Sequence, residues 1–227
     1  LAKNIVESIN EILRDYERVI VLEDDICVSP TFLNYMNQAL DFYSNDDRVM
    51  NINGYIYPYN KDNSSNENLR TFMLRIPISW GWATYRRAWK LFTKNPLDLV
   101  KTFKKNDINY FNFNSTHDFW TQVLENYQGK INSWAIFWYA TLYVNKGLSL
   151  SPAVSLTQNI GHDGSGVHCD ENRDYLHGEL FSGKQFNFSK NVEESARDVE
   201  LLEKYFKTLK VSFFKRVIAK IKKFYLN

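Results

Sequence analysis

The stretch that decides the fold is RVIVLEDDICVSP, residues 18–30. Val19, Ile20, Val21 and Leu22 form an uninterrupted apolar run in which three of the four side chains are β-branched. Such a run after a helical pattern reads as a parallel strand buried on both faces of an α/β sheet. It stops abruptly in Glu23, Asp24 and Asp25. Carboxylates at the carboxyl end of such a strand lie where open α/β sheets bind ligands. A hard divalent cation that also holds substrate phosphates needs only one or two carboxylates from the protein. Three adjacent acids repel one another unless a cation or hydrogen bonds offset the charge. A solvated acidic turn is the alternative reading of the same residues.

Working outward, Ile5, Ile9, Ile12 and Leu13 recur at helical spacing, which predicts a helix over 3–16. Ser29-Pro30 reads as an N-cap followed by the first helical position, opening a helix to about Tyr43. Residues 49–55 read as the next strand, 60–68 as a polar loop and 72–78 as a strand. Helices are expected over 86–92, 96–105 and 119–128. Residues 133–145 read as a long buried helix closed by Lys146-Gly147, before a short strand at 148–150. Residues 159–168 read as a glycine-rich loop, and the polar stretch 181–198 as a separator ahead of a C-terminal tail.

Composition narrows the function classes. With 227 residues, 44% apolar and 16% aromatic, the chain has enough apolar material for a substantial core. A net charge of +2 gives no electrostatic case for nucleic acid. Cys27 and Cys169 are too few for a secreted disulfide framework and read as reduced thiols. No run approaches the ~20 apolar residues of a membrane span, and no signal peptide is recognisable. The expected location is the cytoplasm, or the inner face of the cytoplasmic membrane as a peripheral protein. Because the chain enters directly into a helix at Leu1, an N-terminal truncation is expected.

Three segments, in order, carry a family resemblance. RVIVLEDDICVSPTFLNYMNQAL resembles the metal-binding segment of GT-A glycosyltransferases, and its EDD form is similar to that of the N-acetylglucosaminyltransferase I family and of bacterial surface-polysaccharide sugar transferases. ISWGWATYRRAW resembles the glycine loop that faces donor and acceptor, and NKGLSLSPAVSLTQNIGHDGSGVHC resembles the closing segment that ends on a metal-ligating histidine. The likeness covers residues 1–180. It implies an α/β fold with a Rossmann-like, mixed and mostly parallel sheet flanked by helices, lacking part of the N-terminal nucleotide-binding region. Residues 181–206 would then be a linker and helix, and 207–227 a basic tail.

The implied activity is metal-dependent transfer of a sugar from a nucleotide-sugar donor to a saccharide or lipid-linked saccharide acceptor. Asp25 and His168 would ligate Mn2+ or Mg2+, with His162 as the competing histidine. Glu23 and Asp24 would contact ribose, sugar or metal-bound water. Gly81 would let backbone approach the sugar, Trp80 and Trp82 would frame the groove, and Trp134 would also lie at the donor or acceptor; ordinary core packing is the alternative for the pair around Gly81. An inverting enzyme needs a carboxylate to take the acceptor proton. The resemblance places an acid beside Trp134, where this chain has Ala135. Asp118, in THDFWTQ, is the first substitute and Asp163, in GHDGSG, the second, although Asp118 also reads as a helix cap.

The tail carries Lys207, Lys210, Lys215, Arg216, Lys220, Lys222 and Lys223 and no acid, while Phe213, Val217, Ile221 and Phe224 share one helical face. That pattern predicts a basic amphipathic helix on an anionic membrane, with a docked terminal helix as the alternative. Two other classes use the same features. One is an inactive glycan- or partner-binding fragment of such an enzyme, favoured by Ala135. The other is a metal-dependent phosphatase or nuclease, which needs acids from several strands to hold two metals.

Overall fold

A computed structural model of the chain describes residues 2–59, 67–161 and 180–225, with side chains as far as Lys210. The amphipathic start forms α1 (Ala2–Asp15), which sets Ile9 and Leu13 into the core while Ile12 stays 43% exposed. The RVIVL run forms β1 (Arg18–Val21), and a turn through the three acids leads to β2 (Ile26–Val28). Helix α2 (Phe32–Phe42) starts later than Ser29-Pro30 suggests, with Thr31 at the N-cap. Ser29 is drawn elsewhere: its N–H donates to the Leu156 carbonyl at 2.7 Å, so it prolongs strand pairing and does not open the helix.

Next come β3 (Val49–Asn53), β4 (Asn68–Leu74), β5 (Trp82–Tyr85) and the single turn α3 (Arg86–Trp89). A helical layer follows, with α4 (Pro96–Thr102), α5 (Lys105–Phe111), α6 (Trp120–Tyr127) and α7 (Ala135–Val144). The chain then returns through β6 (Leu148–Pro152), β7 (Thr157–Asn159), β8 (Gln185–Asn187) and the long α8 (Ala196–Tyr225). No described helix is long and apolar enough to cross a membrane.

The chain is an α/β protein built on a mixed sheet flanked by helices, in the order β1-β5-β3-β6-β4-β8. The pairs β3–β6 and β4–β8 are parallel; β1–β5, β3–β5 and β4–β6 are antiparallel, a larger antiparallel share than the sequence leads one to expect. The apolar run of β1 predicts an interior, parallel strand, yet β1 lies at the sheet edge, antiparallel to β5, and is only half-buried. An apolar run reports cover on the two faces of a strand and carries no information about its lateral neighbours. A second, two-stranded sheet pairs β2 with β7 antiparallel.

Cores lie on both sides of the main sheet. Alternation along β4 sends Leu69 and Met73 to one side and Phe72 and Leu74 to the other. Helix α7 is apolar all round and is buried from Ile136 to Leu142, as such a helix must be. Its C-terminus closes with the left-handed residue at Lys146 (φ 54°), not at Gly147. Gly147 is required for space instead, because a Cβ there would sit 2.1 Å from Met50 Sδ.

Residues 181–195 are part of this body and not a free separator. Phe181 and Val192 are buried, Phe186 packs edge-on to Tyr35 at 5.5 Å, and β8 extends the sheet beside β4. These apolar residues are spaced among polar ones, so the average polarity of the stretch conceals them. Helix α8 is fastened at its start by Asp198, fully buried, which accepts from both Arg70 amino groups (2.9 and 2.7 Å), Tyr59 (2.7 Å) and Ser195 (2.6 Å).

Candidate functional site

Strands β1, β3 and β6 run in the same direction, because β5 is antiparallel to both β1 and β3, and β3 is parallel to β6. Their carboxyl ends therefore deliver Glu23, Gly54-Tyr55 and Ala153 to one end of the sheet, the end at which such sheets bind ligands. The loops are sewn together there. Gly54 N–H donates to the Gly81 carbonyl at 2.7 Å, Leu156 N–H to the Gly54 carbonyl at 2.8 Å, and Thr157 Oγ1 to the Trp80 carbonyl at 2.6 Å.

The three acids occupy the turn between β1 and β2, with Asp24 exposed and Glu23 and Asp25 half-buried. Burial first, and then the charges of Asp25 and Asp24, raise the Glu23 carboxyl above its ordinary value. Asp25 is held from the β7 side. Asn159 Nδ2 donates to Asp25 Oδ2 at 3.0 Å, Ile160 N–H donates to the Asp25 carbonyl at 2.9 Å, and Gly161 N–H donates to Asn159 Oδ1 at 2.7 Å. Gly161 fits because a Cβ there would lie 2.9 Å from Asp25 Oδ2. The segment that continues to His162, Asp163, His168 and Cys169 thus starts at the Asp25 carboxylate; those four residues lie outside the described ones. Among the described residues no three His, Cys, Asp or Glu side chains converge on one point.

Beside this turn, Gly81 divides two tryptophans. Its φ of 74° lies in the left-handed region, where a side chain is strained. A Cβ would meet Thr157 Cγ2 at 2.7 Å and Leu22 Cδ2 at 3.3 Å. The space that the glycine leaves is therefore filled by the protein's own side chains, which removes it as a place for backbone to approach a sugar. Trp80 faces a groove of about 220 Å³ lined also by Tyr55, Tyr57, Phe119, Gln122 and Tyr139. Trp82 turns the other way and is 1% exposed, stacked on Trp134 at 5.3 Å and 24°. Trp82 and Trp134, expected at the donor and acceptor, are core residues: their rings fill the layer between β5 and α7.

Ala135 lines the groove, so the position where the resemblance places an acid does face it. None of the described residues lining the groove carries a charge. Asp118 does not line it. Its carboxylate caps the start of α6, with Oδ1 accepting from Thr121 N–H at 3.1 Å and Oδ2 from Thr121 Oγ1 at 2.7 Å. The structure thus brings Glu23, Asp24, Asp25, Gly81 and Trp80 to one end of the sheet and leaves Trp82, Trp134 and Asp118 apart. Sequence reasoning did not find Tyr55, Tyr57, Phe119, Gln122 or Tyr139, which come from three separate segments; the alternation YIYPY after β3 was the one local signal. No protein-family model matches this chain, and no curated protein is detectably similar to it.

Proposed function

We propose that the chain is the metal- and acceptor-binding part of a nucleotide-sugar-dependent glycosyltransferase acting in bacterial surface-polysaccharide assembly. The observation that carries this reading is the pinning of Asp25, at the strand ends, to the segment running on to His168, next to an aromatic groove. The donor set fits a hard divalent cation. Burial first and then the charges of Asp25 and Asp24 raise Glu23, and such a carboxylate cluster gains from a positive charge, while Mn2+ or Mg2+ needs few protein ligands when phosphates supply the rest. Asp25 and His168 would hold the metal, with Glu23 and Asp24 beside it toward ribose and sugar. Bound there, the cation would neutralise charge on the departing diphosphate. The chain's own part is to orient the acceptor: the half-buried Trp80 and Tyr57 offer aromatic faces to a sugar, and Gln122 a hydrogen-bonding amide.

The test is calorimetric titration of nucleoside diphosphates into the protein with and without Mn2+. Binding that requires the metal and disappears in Asp25→Ala supports the reading; equal affinity in that variant removes the metal assignment. Ala135 and the uncharged described lining of the groove favour a second reading, a glycan-binding protein without transfer activity. Saccharide binding in the absence of any nucleotide binding would select it.

A further inference from the structure

The groove walls rest on a ring from the far end of the chain. Phe206 of α8 is fully buried, and its ring centre lies 5.0 Å from that of Tyr57, edge-on at 77°. On another side it packs 4.6 Å from the His117 ring. His117 in turn lies 4.4 Å from Phe119. Tyr57 continues through Tyr55 at 5.7 Å to Trp80 at 4.6 Å. Tyr57, Tyr55, Trp80 and Phe119 all line the groove, so its aromatic walls meet, through short chains of rings, at one phenyl group that does not touch the groove itself.

We infer that Phe206 is a positioning residue, which fixes the orientation of Tyr57 and Phe119 so that the groove accepts a saccharide. This rests on the reading of the groove as the saccharide site. Close-packed interiors transmit the loss of a ring to its neighbours. A sugar stacked on aromatic faces tolerates little displacement of those faces. The helix itself stays docked without Phe206, because Asp198 anchors its first turn to Arg70 and Leu202 is buried on the same face.

The test compares the wild type with Phe206→Ala, Phe206→Leu and Leu202→Ala. The probes are methyl glycosides of common hexoses and N-acetylhexosamines, followed by ligand-observed NMR, together with acrylamide quenching of tryptophan fluorescence. Trp80 is half-buried while the other five tryptophans are buried, so quenching reports the groove wall. Phe206→Ala is expected to lose about tenfold in glycoside affinity, the order of a truncated hot spot, and to quench more readily. Phe206→Leu should restore most of the affinity. Leu202→Ala should melt at lower temperature yet bind as the wild type does. Wild-type affinity in Phe206→Ala, or an equal loss in Leu202→Ala, overturns the inference. If the wild type binds none of the glycosides, the groove reading falls by itself. Quenching then decides on Phe206: unchanged quenching in Phe206→Ala overturns its positioning role.

Discussion

Single residues in and around the candidate site divide into those that present chemistry and those that hold shape. Asp118 belongs to the second kind, because both its oxygens are engaged with Thr121 at the start of α6. Asp118→Ala should therefore cost about 1 kcal/mol of stability in urea denaturation, as lost caps do. A catalytic base would behave otherwise, with a rate loss of about 10²- to 10⁴-fold. Gly81→Ala is expected to be harsher. The left-handed φ and the 2.7 Å approach to Thr157 together predict a loss of about 1–3 kcal/mol, readable as a lowered midpoint in denaturant. The glycine was legible in the sequence as a special position. Its reason was not, since the side chains that fill its space come from Leu22 just after β1, from α2 and from β7.

Between elements, the junction of α6 and α8 carries a pH dependence. Burial chiefly, and Lys210 nearby, push the His117 imidazole from its ordinary 6.5 down to about 4, while Asp118 opposes the shift. The folded state therefore holds the neutral ring at pH values where the unfolded chain is already protonated. Between pH 6.5 and about 4 the unfolded state binds more protons, so stability rises with pH across that window and is lost as pH falls through it. Melting temperatures should drop on acidification from pH 6.5 to 4 in the wild type, and this slope should be much smaller in His117→Phe. The elements themselves were readable where period and length agreed. Helices α1 and α7 and strand β3 follow their apolar patterns, whereas α5 was missed because KNDINYF is mostly polar and folds under the second core.

For the molecule as a whole, α8 is helical to Tyr225, and the last described core contact along it is Leu209. The sequence beyond that point is basic and amphipathic, so the intact protein is expected to sediment with anionic vesicles, not with neutral ones, and to be released by salt. Replacing Lys215, Arg216, Lys220, Lys222 and Lys223 by Gln should abolish sedimentation; equal binding to neutral vesicles would remove the membrane role. By itself the sequence determined that an apolar run ends in a carboxylate turn and that strands and helices alternate along the chain as in an α/β protein. It did so because burial period and chain breakers are local properties, written within a few residues of one another. Only the tertiary structure decided that β1 sits at an edge, that Trp80 and Trp82 part at Gly81 into groove and core, and that Phe206 underpins the groove. Those are facts about which distant segments meet. The same aromatic side chain is equally favourable in a core or on a groove wall, so its residue type leaves the choice to its neighbours in space.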